Sequence, residues 1–568
     1  MINLSWIQSH KRELFIVIGL LLAFVVIRLP GLSLPYHQDE WKTAEIVRSH
    51  IVGGLAAHPP LTERIYRWGG DVIGADNLRV IPLTFGVLSA ALLYLVVRRR
   101  SGMYAAIAAL SLYSVCMYGV WASLMVDTDG AILPSLFLLA VYVYDRCRRA
   151  ATTRESYAWV CVAALVITLG LLTKLSAVLI LGALAADYLI EVRHRLTRRV
   201  FVRALIGILG CGAIAITAIV SAHFFLPSFD VSKMVAHVLY YVRFEGRGYL
   251  QILIQAVKAL FYLSPLLIVP LVFISRETFK RYRIFVIYLG LGAFFYFVLF
   301  DFSQGALDKY LMFSIVPLAA IVGDILTRVL ADIPRVRVMQ GLSLGGILAA
   351  ILVSINFLSP QVVPLYPKTE WISAVAHGNW NILMPFTGGS GPLGFYVSFL
   401  FIAVSFATAG CMALGALIFP KIRPALLVAV MVVGLTGSAV FIEELLWGRI
   451  NGSAPKVLAE SVAYIASSEI KSVITHADTG AYELNSLGKY AGRFYAVLGN
   501  ESVHRERFAQ HKGHYLVVDF PQLNMSGFYS RFFATCESVF DTSSGAIEAH
   551  VYYCPASDPY SIPNYASQ

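Results

Sequence analysis

Leu34-Pro35-Tyr36-His37-Gln38-Asp39-Glu40-Trp41 follows the first long apolar run of the chain, residues 13–30, and sets two adjacent carboxylates where that run ends. An acidic pair beside a membrane-length apolar segment is expensive to place and marks a candidate functional site. Nineteen residues beyond Asp39 stands His58-Pro59-Pro60-Leu61, still ahead of the next apolar run. Each proline fixes its own φ and drives the residue before it toward extended backbone, so this is a rigid turn able to aim His58. The simpler readings are that Asp39 and Glu40 begin an amphipathic surface helix as charges favourable to its N-terminus, and that His58 belongs to a plain loop turn.

The chain around this stretch is 58% hydrophobic and 14% charged over 568 residues, against about 25% charged in soluble domains. Thirteen apolar segments can span a bilayer: 13–30, 79–97, 103–122, 128–144, 157–173, 175–190, 203–222, 252–274, 284–300, 310–330, 340–358, 393–419 and 425–446. With Lys11-Arg12 in the cytoplasm, every second loop is basic: Arg98 to Arg100, Arg146 to Arg154, Arg193 to Arg203, Arg276 to Arg283, Arg335 to Arg337 and Lys421 to Arg423. That alternation predicts a multi-pass membrane protein with a cytoplasmic N-terminus. The first run is expected to be an uncleaved helix, because Arg28-Leu29-Pro30 is no small-residue cleavage site.

This topology places loops 31–78, 223–251, 301–309 and 359–392 and everything after 447 outside the cytoplasm. The fold class expected is an α-helical polytopic domain over 1–446 with a small extracytoplasmic α/β domain over 447–568. Short strands are expected at 471–475, 493–497 and 514–519, with Cys536 and Cys554 enclosing two final strands and forming a disulfide in an oxidising compartment. Two free thiols are the alternative. Asn451-Gly452-Ser453 has the form of a glycosylation acceptor. The net charge of +11 is accounted for by the basic loops, and with no nucleic-acid motif that partner is not expected. The basic loops are too short for a nucleotide-binding domain, and no phosphate-cradling glycine loop occurs.

Chemistry confined to the outer face, without soluble nucleotides, needs a donor carried by a membrane lipid. Transfer of a sugar from a polyprenyl phosphate calls for one carboxylate to deprotonate the acceptor. It also calls for cations and hydroxyls around the leaving phosphate. A second carboxylic acid, as glycoside hydrolysis ordinarily requires, is not needed. Asp39 or Glu40 would supply the base, the other orienting a neighbour, since adjacent residues do not point the same way. His58, Arg243, Arg247, Lys309 and Tyr310 are the candidates for the donor phosphate, arginine through its planar fork. Snorkelling at the headgroup level is their alternative role. Asp127 and Asp129, at the mouth of the fourth segment, line the acceptor or sugar path or merely cap the helix. Lys174 is expected as an interfacial anchor, and Glu443-Glu444 as a solvated helix end.

With these residues in view, the chain resembles the polyprenyl-phosphate-sugar-dependent glycosyltransferases of GT-C fold. That superfamily contains protein O-mannosyltransferases and bacterial aminoarabinose transferases of lipid A. The resemblance runs through Asp39-Glu40, His58-Pro59-Pro60-Leu61, Asp76-Asn77-Leu78-Arg79-Val80-Ile81-Pro82, Asp129, Leu172-Thr173-Lys174 and Lys309-Tyr310. It implies Asp39 as general base, and Arg247 and Tyr310 with Lys309 around the phosphate. Histidine before the diproline leans toward the O-mannosyltransferases, yet Leu61-Thr62-Glu63 departs from their Leu-Gly-Lys. Ala57 stands where the aminoarabinose enzymes carry a glutamate, so their metal site is not carried over. The expectation is an inverting membrane glycosyltransferase, hexosyl or pentosyl, acting on a protein, lipid or polysaccharide acceptor amid membrane lipids. No cofactor is implied, and a divalent metal stays open. The rivals are a lipid-linked-glycan flippase and a non-catalytic membrane protein binding through its C-terminal domain.

Overall fold

A computed structural model of the chain describes residues 11–49, 58–193, 198–226, 229–242, 247–301, 308–331, 333–358, 362–363, 369–386, 393–494, 501–520, 523, 527–555 and 559–560. Two compact units emerge. The first takes in Met1–Leu32, Thr43–Gly345 and Ala409–Ser438; the second takes in Ser33–Lys42, Gly346–Thr408 and Ala439–Gln568. The second therefore joins the acidic stretch and residues 346–408 to the C-terminal region.

Each of the thirteen apolar segments carries a helix. Among the described residues, nine helices are long and apolar enough to cross a membrane, while Met103–Val115, Gly212–Phe225 and Arg283–Leu299 are shorter. Three segments differ from expectation. The segment 103–122 breaks at Cys116, which takes extended backbone (φ −68°, ψ 126°) before a second helix, Met117–Ala122. Every residue of that second helix is buried, and protein burial is what makes broken backbone tolerable at membrane depth. The fourth helix starts at Ile132 rather than 128, which leaves Asp127 and Asp129 in the loop before it. The segment 393–419 opens as a strand, Phe395–Ser398, before its helix Phe399–Ile418.

Within the first unit, small residues set close helix contacts. Met103–Val115 packs on Ile315–Val329. A Cβ on Gly323 would come within 2.8 Å of the Ala105 carbonyl oxygen and the Ala109 nitrogen. Apolar lipid gives helices little hydrophobic reason to associate, so close backbone approach through Gly and Ala supplies the packing. At the basic-loop end, ion pairs lace helix to helix. Arg100 binds Asp145 at 2.7 and 3.0 Å, Arg283 reaches Asp187 at 2.7 Å, and Arg281 and Arg328 share Asp324 at 3.1 and 2.9 Å.

The second unit is built on sheets. Strands β1 (Leu383–Phe386) and β2 (Phe395–Ser398) form an antiparallel pair. A five-stranded mixed sheet follows in the order β4-β3-β5-β7-β6, from β3 (Val473–His476), β4 (Tyr490–Phe494), β5 (Gly513–Asp519), β6 (Glu537–Ser544) and β7 (Ile547–Cys554). β4 lies three residues earlier than expected. β3 pairs in parallel with β4 and β5, while β7 runs antiparallel to β5 and β6. Side chains alternate between the two faces of a strand, and here both faces are covered. Val473, Leu516, Val518 and Val551 enter one core with Val457 and Leu458, and Ile474, Tyr515 and Val517 enter the other with Phe508 and Phe532. Cys536 and Cys554 are bonded, their Cα atoms 4.7 Å apart.

One motif and one expectation in this unit are decided by burial. Asn451 is only 5% exposed and its side-chain amide donates to the Tyr396 carbonyl at 3.3 Å, so it is not presented for glycosylation. Glu444 is buried and accepts the Asn451 backbone N–H at 3.1 Å, so it does not belong to a solvated helix end.

Candidate active site

The stretch that opens the second unit is a fixed turn. Gln38 takes the left-handed region (φ 48°), a conformation rare for a residue with a side chain. The turn closes reciprocally: the Glu40 N–H donates to the His37 carbonyl at 3.0 Å, and the His37 N–H donates to Glu40 Oε2 at 3.3 Å. Glu40 is fully buried. Asp39 begins the helix Asp39–Arg48, its carboxylate 48% exposed and accepting from Lys42 Nζ at 3.0 Å. The two adjacent acids thus diverge, one inward as an anchor of the turn and one outward. Aromatic contacts hold the stretch on either side of Asp39. The Tyr36 ring meets Tyr482 edge-on at 5.1 Å, and Trp41 lies 6.0 Å from Tyr490.

A separate polar cluster forms inside the first unit, in the loop between Met117–Ala122 and Ile132–Arg148. Three side chains pin that loop by its backbone or its hydroxyl. Arg28 Nε donates to Ser123 Oγ at 2.5 Å, Arg79 Nη1 to the Leu124 carbonyl at 2.8 Å, and Tyr66 Oη to the Asp127 carbonyl at 2.9 Å. Both arginines are fully buried. They satisfy carbonyl and hydroxyl acceptors that an irregular buried loop would otherwise leave unpaired.

Asp127 Oδ1 accepts the Thr128 N–H at 2.6 Å, and its Oδ2 accepts from Lys309 Nζ at 3.0 Å. Asp129 pairs with Lys174. The Tyr310 ring sits 4.8 Å from Lys174 Nζ and 5.0 Å from Lys309 Nζ, and it stacks on Tyr296 at 5.8 Å. Two carboxylates, two ammonium groups and a phenol ring therefore meet in one neutral cluster. Its members are mostly withdrawn from solvent, with Asp129 5% and Lys309 8% exposed at the side chain.

The cluster splits its two acids. Burial pushes the Asp127 carboxyl up, but the ammonium groups of Lys309 and Lys174 outweigh it and hold the group below the usual carboxylate range. Burial raises Asp129, Lys174 opposes the rise, and the neighbouring Asp127 adds to it, so Asp129 lies above the usual range. Burial lowers Lys174, yet Asp129 and Asp127 more than restore it and keep the ammonium form. His58 faces His237 edge-on at 5.0 Å. Burial, then Lys174 and His237, brings its imidazole down to about 4. The residue as a whole is nonetheless exposed.

Among the candidates, the structure brings together Asp127, Lys309 and Tyr310 with Asp129, and sets His58 in their electrostatic neighbourhood. Arg247 is buried and spent on backbone: its two terminal nitrogens donate to the Val298 carbonyl and, at 2.7 Å, to the Leu299 carbonyl. Arg243 lies outside the described residues. Lys174 corrects its expected role as an interfacial anchor, since it pairs with the buried carboxylate of Asp129. A lysine in a tight turn between two apolar spans is itself a warning of that. His237 and Tyr66 gave no sequence signal. Among the described residues, no group of three His, Cys, Asp or Glu side chains is placed to hold a metal.

Residues 57–222 match the family described as dolichyl-phosphate-mannose-protein mannosyltransferase. The chain shares the fold of ArnT from Cupriavidus metallidurans. The apo structure is 15% identical with a TM-score of 0.54, and the match covers 96% of this chain and 98% of that one. The same protein bound to undecaprenyl phosphate is 14% identical, with equal coverage and TM-score. The S. cerevisiae protein O-mannosyltransferase Pmt1-Pmt2 complex bound to the sugar donor matches at 19% identity over 39% of this chain and 34% of that one, with a TM-score of 0.32. No curated protein matches the chain in sequence. The family match takes in His58-Pro59-Pro60-Leu61, Asp76 to Pro82, Asp129 and Leu172-Thr173-Lys174 of the resemblance, and the shared fold agrees with it; Asp39-Glu40 and Lys309-Tyr310 lie outside the matched residues.

Proposed function

We propose that this chain transfers a sugar from a polyprenyl-phosphate donor to an acceptor hydroxyl, with inversion, at the extracytoplasmic membrane face. The observation that carries the reading is the lysine pair, Lys309 buried and Lys174 partly so. Lys174 and Lys309, each held by a carboxylate and flanking Tyr310, place two ammonium groups beside apolar helices in a cluster that is neutral at rest, and a phosphate arriving there can compete with the carboxylates for them. In water-poor surroundings such charges act strongly on charge that develops during reaction.

In the proposed step, the acceptor oxygen attacks the anomeric carbon as Asp39 takes its proton. The new C–O bond forms while the bond from that carbon to the phosphate oxygen breaks, and the electron pair leaves with the phosphate. Lys174 and Lys309 neutralise it by exchanging part of their hold on Asp129 and Asp127 for phosphate oxygens. His58, neutral at physiological pH, donates or accepts a hydrogen bond without adding charge. Arg247 takes a phosphate-binding role only if it releases the Val298 and Leu299 carbonyls. Glu40 orients the turn that presents Asp39, and the C-terminal domain fixes that turn through Tyr482 and Tyr490. Whether the sugar is a mannose, another hexose or a pentose, and whether the acceptor is protein, lipid or polysaccharide, is decided by assaying membranes against a panel of polyprenyl-phosphate sugars. Transfer from at least one donor by wild type is expected; inactivity with every such donor contradicts the proposal.

A further inference from the structure

At the basic-loop end of the first unit lies a cavity of about 480 Å³, lined by Phe273, Ser275, Ile325, Arg328, Arg423 and Pro424 among others. It stands far from the polar cluster. The helix Ile315–Val329 begins just after Lys309-Tyr310 and carries Arg328 in its last turn. Its fifteen residues span roughly 22 Å at 1.5 Å per residue, most of a hydrocarbon core of about 30 Å. The cavity is of the size that holds a small-molecule group, for which about 300–1,000 Å³ is usual.

We propose that this cavity binds the phosphate of an anionic glycerophospholipid in the leaflet at that end. The lining combines two arginines, Arg328 and Arg423, with apolar side chains. Arg423 donates Nε to the Ala416 carbonyl at 3.0 Å, which directs its guanidinium fork across the gap between the last two spans. Arg328 is tied to Glu277 at 2.6 Å and Asp324 at 2.9 Å, and Asp324 also takes Arg281. Within this group three arginines face two carboxylates, leaving one positive charge, and Lys421 and Lys280 stand exposed nearby. Phe273, Ile325 and Val329 line the remainder. Ile418 and Phe419, at the end of the preceding span, are 68% and 57% exposed and offer a path for an acyl chain. A free phosphate would use the arginines but not that apolar flank. A zwitterionic lipid would bring an ammonium group to a site already positive. Basic pockets between membrane helices take acidic headgroups for these reasons. The bland role for Arg423, capping a helix carbonyl, uses one nitrogen and leaves the fork.

This inference rests on the helices spanning a membrane and is independent of sugar transfer, so its test reads lipid retention alone. The purified full chain in neutral detergent is mixed with equimolar phosphatidylglycerol and phosphatidylcholine, and retained lipid is counted by native mass spectrometry. Wild type is expected to prefer phosphatidylglycerol, and Arg423→Gln to lose about fivefold of that preference, the worth of one cation near a membrane surface. Arg423→Lys should keep much of it, and Val329→Phe, which fills the cavity and leaves every charge in place, should lose it. Equal retention of the two lipids by wild type, an unchanged preference in both Arg423→Gln and Val329→Phe, or displacement by millimolar inorganic phosphate would each overturn the proposal.

Discussion

Lys42 and Lys174 each pair with an aspartate, and the two pairs differ in what their loss leaves behind. Lys42 and Asp39 are both about half exposed, and such pairs are worth about 0–1 kcal/mol. Lys174 faces an Asp129 that is 5% exposed, and removing one partner of a buried pair strands the other, at about 3–5 kcal/mol. Lys174→Met should therefore lower the melting temperature in detergent far more than Lys42→Met, and Asp129→Asn should recover part of the loss when combined with it. Equal melting temperatures for the two single variants would mean that the cluster is solvated. Two buried histidines of the C-terminal region give a pH dependence. Burial holds His476 near 4; burial, then Arg507, does the same for His504. Their rings stay neutral in the folded protein while the unfolded chain, titrating near 6.5, binds protons. Stability is therefore complete above about pH 6.5 and falls as pH drops toward 4, with little further loss from these groups below. Thermal unfolding across that window checks it, and His476→Gln with His504→Gln should flatten the slope; an unchanged slope would assign the loss to other groups.

At the scale of elements, the question is what aims Asp39. Its turn is held between Tyr36 on Tyr482 and Trp41 on Tyr490, aromatic contacts worth about 0.5–1.5 kcal/mol each beyond area burial. Loosening them should misplace the proposed base more than it disturbs donor binding. Tyr482→Ala is expected to lower kcat several-fold with the donor KM nearly unchanged, and Tyr482→Phe to restore it. A double-mutant cycle with Tyr36→Ala should be non-additive in kcat, which a purely local packing role at either site does not produce. A fall confined to donor KM, or strict additivity, would separate the aromatic contacts from the turn's task. None of this was legible in sequence. Asp39-Glu40 can be singled out because charges at a membrane edge are conspicuous, but the partners that orient the turn lie about 450 residues later by number, and no local pattern announces a contact across that distance.

Across the whole molecule, legibility follows the length of the signal. Thirteen long apolar runs were readable and each carries a helix, because membrane-length hydrophobicity needs no tertiary context. The breaks at Cys116 and before Ile132 were not, since burial rather than local propensity permits them. In the second unit, the strand around 514–519 was found nearly in place, as a continuous β-branched and aromatic run, whereas β1 and β2 hid inside or beside apolar sequence. Of the site, the acids and Lys309-Tyr310 were visible as charges at segment ends. Lys174 was misjudged because a lone lysine at a turn looks the same whether it meets a headgroup or a buried carboxylate. Asp39 as the base of a lipid-linked sugar transfer stands or falls on the turnover of purified Asp39→Asn beside wild type, on whichever polyprenyl-phosphate sugar wild type accepts. Transfer should fall by at least about a hundredfold, the usual worth of a positioned general base, in a protein that still folds, inserts and binds donor; near-normal turnover in that variant would remove Asp39 from the chemistry.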